Sequence, residues 1–262
     1  MQQSVDSNGR VIPVGGERVY SATDRRYFCL EQPKLDLPAI YQRFVKFLGS
    51  NLSDDLGYSE FTRQVAQLKS EVQVDPSHSN LLQGIYVPFI LPKMSFFTDA
   101  PLEQLVVAAG RSFEDSYSNF EFRFLAENDL DSKLELRQGS RWENIHKIWI
   151  ERSLVGLYFP TALCGFAIPD HTVVLSRLPK NLVLSGIPEA ASAFIGSPGL
   201  LMKNDGKYPN LLALTAFLPK EQSQSHMFHF FEAYGWNLYF NNRSQIGAVS
   251  EYYSGGISVI AQ

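Results

Sequence analysis

An α+β fold, with a helical N-terminal part and an antiparallel β-rich C-terminal part, follows from three features of the sequence. Apolar residues recur at helical spacing through much of the first 152 positions, and short apolar runs bounded by turn residues dominate afterwards. Charge also changes: residues 1–152 carry 17 Lys/Arg and 21 Asp/Glu, about 25% of positions, whereas residues 153–262 carry 6 and 6, about 11%. No Pro/Gly/Ser-rich linker marks the step, so residues 1–262 read as a single domain. A subdivision near 152 separates a helix-rich, charged 1–152 from a β-rich, charge-poor 153–262.

In chain order, Arg10–Val14 and Glu17–Tyr20 flank Gly15-Gly16 and predict a peripheral hairpin. Leu37–Leu48 predicts a helix, with Pro38 in its first turn after Asp36, Ile40, Phe44 and Leu48 on one face, and Gly49 beyond its end. A second helix follows from the stripe Phe61, Val65, Leu68 and Val72, with Ser59 as N-cap. Ile85–Leu91 reads as a strand, and Pro88 assigns it to an edge. A third helix opens at Asp99–Pro101 and turns Leu102, Leu105, Val106, Ala109 and Phe113 inward.

Phe120–Phe124 alternates apolar and charged residues, as does Leu134–Arg137, which predicts an antiparallel pair around the polar turn 127–132. Ser140-Arg-Trp-Glu143 has the form of a capping box ahead of a helix carrying Trp142, Ile145 and Trp149. Beyond it, strands are expected at 171–175, 181–184, 210–218, 236–240 and 256–260, and a short helix at 223–234 ended by Gly235. Leu-Pro-Lys recurs at Leu91, Leu178 and Leu218 with unequal separations, so it marks segment ends and not a structural repeat.

Composition narrows the function. A net charge of −4 disfavours a nucleic-acid partner held by phosphate contacts. The longest uncharged stretch, 153–169, is 17 residues and is interrupted by Pro160 and Pro169, so no membrane span is expected. The first residues lack a charged n-region and apolar h-region, which makes a cytoplasmic location the default expectation. Cys29 and Cys164 cannot form a disulfide framework, and no glycine pattern matches a nucleotide fingerprint, so no cofactor is assigned.

Three constellations remain. On a helix, His226, His229 and Glu232 would fall on one stripe and could face a metal such as zinc, although Phe228, Phe230 and Phe231 argue for a buried segment. Cys164 is a candidate thiol nucleophile, against the simpler reading of a buried apolar thiol. Nine aromatic rings lie between Phe228 and Tyr253, and Trp236, Tyr239, Phe240, Tyr252 and Tyr253 are the candidate binding residues among them. Charge depletion with aromatic enrichment suits either a deep core or a covered surface. The leading expectation is therefore a noncatalytic interaction or structural subunit of a larger assembly, with a protein partner or a second copy of the chain. A metal-dependent or thiol hydrolase and a small-ligand binding module are the alternatives.

Overall fold

A computed structural model describes residues 3–20, 30–49, 51–97, 99–202, 210–221, 227–244, 247, 249 and 253–261. The fold is α+β, with most helices early in the chain and most strands late. Helix α1 (Leu37–Leu48) forms where its signals place it: the Asp36 carboxylate accepts the Ala39 N–H at 3.1 Å, and Ile40, Tyr41 and Phe44 are buried. A short α2 (Asn51–Asp55) leads into α3 (Tyr58–Val74), whose N-cap is Gly57 and not Ser59. Helix α4 (Pro101–Ser116) buries the five expected residues. Short α5 (Leu130–Lys133) precedes α6 (Trp142–Glu151), followed by α7 (His171–Ser176) and α8 (Ile187–Gly196).

Three sheets organise the strands. The first has order β1-β4-β11-β5, built from β1 (Val87–Leu91), β4 (Leu154–Phe159), β11 (Ile257–Ile260) and β5 (Leu182–Leu184), all antiparallel. The second has order β10-β6-β8-β9-β2, from β10 (Tyr253–Gly255), β6 (Asn210–Leu214), β8 (Phe228–Tyr234), β9 (Asn237–Arg243) and β2 (Phe122–Phe124). Its three central strands are antiparallel, while β10 and β2 join the two edges in parallel. A small ladder pairs β3 (Leu134–Leu136) with β7 (Phe217–Pro219).

Several expectations are corrected. Gly15 and Gly16 do turn the chain with positive φ, but Val11 bridges to Val5 and Val19 to Phe166, so the flanking segments do not form a hairpin. The 120–124 and 134–137 strands do not pair with each other: β2 lies beside β9, and β3 beside β7. The Ser140 capping box does not form, since Arg141 occupies the N-cap in a left-handed conformation and its guanidinium is used elsewhere. It donates to the carbonyls of Leu175, Leu178, Pro179 and Leu182 at 2.5–3.1 Å. One of those bonds caps Leu175 O near the C-terminal end of α7, and the others hold the turn that follows; the segment 171–175, expected as a strand, is helical. The helix expected at 223–234 is instead the strand β8 over its described part, 228–234; both of its faces are covered, which erases the alternation that would mark a strand. Of the three Leu-Pro-Lys segments, the first and last end β1 and β7, and the middle one follows α7.

The charge step at 152 is accounted for by burial. Residues 153–168 and 182–198 are buried without a break, separated by the more accessible segment 169–181, and every residue of α8 is buried. The main cluster of buried apolar side chains draws on both parts, from Val5 to Ile260. Helix α8 lies at its centre: Ser112 Oγ of α4 donates to Ile195 O at 2.8 Å, and Ser192 Oγ both accepts the Ile90 N–H (3.1 Å) and donates to Ile90 O (2.5 Å). That two-way bond occupies backbone groups on the outer edge of β1.

Candidate functional site

The hairpin joining β8 to β9 has a two-residue loop, Gly235-Trp236, closed by the pairing of Tyr234 with Asn237. Both loop residues have positive φ, 58° and 70°. Such a turn requires that geometry at both central positions, and it suits glycine. For a tryptophan the left-handed region costs roughly 1–2 kcal/mol. The cost is offset by contact: the Trp236 indole stacks on Phe120 with centroids 5.8 Å apart and planes 17° from parallel. Phe120 meets Tyr117, and Tyr117 meets Phe113, so the ring series runs onto the C-terminal end of α4. The 120–121 segment is fixed to the hairpin base, because the Glu121 N–H donates to Asn237 Oδ1 (2.8 Å) and the Leu238 N–H to Glu121 O (3.0 Å).

Tyr117, Phe120 and Trp236 line a partly open cavity of about 510 Å³, a volume typical of small-molecule sites. Its other sides come from the turn 196–199 after α8, from Glu31, Gln32, Pro33 and Lys34, and from Arg43 of α1. Helices α4 and α8 end side by side here. The Tyr117 hydroxyl lies so close over Gly199 that an added Cβ would sit 2.2 Å from it. Arg43 Nη1 donates to Gly196 O at 3.1 Å, which satisfies a terminal carbonyl of α8 and fixes the guanidinium at the cavity wall. Trp236 is 36% exposed, so one part of the indole remains open to solvent.

A second polar cluster ties the first sheet to the second, but it is closed. The chain crosses from β10 to β11 at Gly256, where a Cβ would meet the Tyr158 ring at 2.3 Å. The Ser185 N–H donates to Gly256 O, and Ser185 O accepts from Thr215 and Ala216. Ser185 and Ser258 share a hydroxyl bond of 2.7 Å. His171 Nδ1 lies 3.0 Å from Thr215 Oγ1, and Nε2 lies 3.3 Å from Phe166 O. Because a carbonyl only accepts, Nε2 carries the proton and Nδ1 accepts from Thr215. The imidazole is neutral: burial, reinforced by nearby Arg137, lowers its pKa to about 3. Beside this junction, Glu189 accepts from Trp142 Nε1 (2.8 Å) and the Gly186 N–H (2.9 Å), and burial raises its pKa to about 7. Tyr158, His171, Ser185, Glu189, Thr215 and Ser258 are each at most 1% exposed, so the cluster joins the sheets without facing solvent.

The residues singled out from the sequence are dispersed. His226 and Tyr252 lie outside the described residues. His229 and Glu232 sit on β8 three positions apart, which turns them to opposite faces, unlike the shared stripe a helix would give. His229 stacks on Phe240 in the main core, and burial lowers its pKa to about 4; Glu232 stands opposite Tyr239 on the other face, where burial raises its carboxyl. Among the described residues, no group of three His, Cys, Asp or Glu could hold a metal ion. Cys164 is 2% exposed within the main core. Of the aromatics, Phe240 packs against Phe231 in that core, while Tyr253 joins Phe228 and Phe230 in a small cluster on the opposite face. Tyr239 is half-buried on that second face, and of the described candidates from the sequence only Trp236 lines the cavity.

Tyr117, Phe120 and Arg43 were not legible as site residues. They read as a helix end, a core-facing strand and a polar helix position, and nothing in the sequence indicates that residues 43, 117–120, 196–199 and 236 converge. The chain matches no protein family, no curated protein and no solved structure. Among the described residues, no helix is long and apolar enough to cross a membrane.

Proposed function

We propose that this protein binds a small molecule bearing a planar ring, and that the ring lies on Trp236 in the cavity between the ends of α4 and α8. One observation carries the reading. Trp236 is held in a backbone conformation unfavourable for its side chain, and the ring it projects lines a cavity of ligand size. Strained residues that persist are concentrated at ligand clamps, because a folding-only criterion would replace them. Stacking on an aromatic face is also the interaction that Trp, Phe and Tyr supply at low conformational cost. The assembly-subunit expectation rests on charge depletion and aromatic enrichment in 153–262, and burial of 153–168 and 182–198 within this chain supplies another reason for the depletion.

The test is Trp236→Asn. Asparagine tolerates the left-handed turn, so the variant keeps its hairpin, with thermal stability unchanged or raised by up to about 1 kcal/mol. Heteroaromatic fragments screened by ligand-observed NMR are expected to bind the natural protein at about 1 mM or tighter and to lose that binding in the variant. Equal binding to both proteins, or no ring-bearing fragment bound at all, would refute the proposal.

A further inference from the structure

We infer that the ligand of this cavity is a planar aromatic acid whose ring stacks on Trp236 and whose carboxylate is held by Arg43, an inference that rests on the ring-binding reading above. Among the described residues, three charged side chains reach the cavity: Glu31, Lys34 and Arg43. Glu31 and Lys34 are exposed, so water and salt screen both. Arg43 differs in being half-buried and already oriented, with Nη1 committed to Gly196 O. Among the described residues its other guanidinium nitrogens have no protein acceptor. They offer the planar pair of donors that matches a carboxylate.

The helix ends do not reverse this sign. The C-terminal ends of α4 and α8 would favour a cation, but the last two carbonyls of α8 and Phe113 O of α4 already have protein donors. Ile195 O accepts from Ser112, Gly196 O from Arg43, and Phe113 O from the Tyr117 N–H. What remains for a ligand is an aromatic face and a fixed guanidinium, which together select a flat molecule with an anionic edge.

The experiment compares indole-3-carboxylate, indole-3-carboxamide and 3-aminomethylindole by titration calorimetry against the full chain. The acid is expected to bind about tenfold tighter than the amide, with an affinity that falls as salt is raised. Arg43→Gln should remove the acid's advantage and leave the amide within about twofold, and Arg43→Lys should restore only part of it, because an ammonium keeps the charge but not the fork. Equal binding of acid and amide, or tightest binding of the amine, would overturn the anion inference while leaving ring binding at Trp236 intact. If none of the three binds, this inference falls, and the fragment screen at Trp236 decides the ring-binding reading separately. Should Arg43→Gln fail to fold, the acid–amide contrast and its salt dependence in the natural protein decide the matter.

Discussion

Glu189 is a carboxyl group out of contact with water, and its titration makes stability depend on pH in a direction opposite to that of the buried histidines. Its folded pKa is raised to about 7 from 4.5, so between those values the native state holds a proton that the unfolded chain has lost. Its stability contribution therefore falls as pH rises through that window, by about 3 kcal/mol in all. His171 and His229, with folded pKa values lowered to about 3 and about 4 from 6.5, act the other way: the unfolded chain takes up protons first, and stability is lost as pH falls below 6.5. Urea melts across pH are expected to peak near pH 6.5. Glu189→Gln should lower stability at that peak by about 1–3 kcal/mol, because one of two buried N–H donors loses its acceptor, and should flatten the alkaline side of the profile. The Tyr158 hydroxyl is fully buried and has no hydrogen-bond partner among the described residues, so Tyr158→Phe is expected to leave stability unchanged or raise it by about 1 kcal/mol. None of these environments could be read from sequence. A residue's neighbours across the fold set its ionisation, and Trp142 is 47 positions from Glu189.

Among the elements, those whose signals are local were legible and those fixed by partners were not. Helix α1 formed between its expected ends because its cap, its first-turn proline and its amphipathic stripe all lie within the segment. Helix α8 left no such trace: it is buried on every side, so Ile187–Gly196 has no polar face to set a period. Likewise Arg141, some 34 positions earlier, donates to Leu175 O of α7, a contact no local signal announces. The short β2 pairs in parallel with a strand more than a hundred residues away, although its alternation was read as half of a local hairpin. The clamp of α8 on β1 can be tested directly. Ser192→Ala leaves the Ile90 N–H without an acceptor and its carbonyl without a donor in a buried setting, and is expected to cost about 1–3 kcal/mol in denaturant melts. A change of less than a few tenths would show that water replaces the serine there.

At the scale of the molecule, the α+β class and the position of the charge step were legible because composition and periodicity are sums over many residues and tolerate local error. The pairing of strands was not, since β10-β6-β8-β9-β2 and β1-β4-β11-β5 both place sequence-distant segments side by side. Such long-range pairing predicts slow refolding for a chain of this size, to be checked by stopped-flow fluorescence of the buried Trp142 and Trp149. Strand β11, at residues 257–260, lies between β4 and β5 as an interior member of its sheet. On a ribosome adding about 5–20 residues per second, β4 emerges roughly 5–20 s before β11 can join it. During that interval Leu154–Phe159, buried at every position in the finished protein, has an open flank. The order of synthesis thus creates a window for aggregation that the folded protein does not have, and it closes when β11 takes its place between β4 and β5.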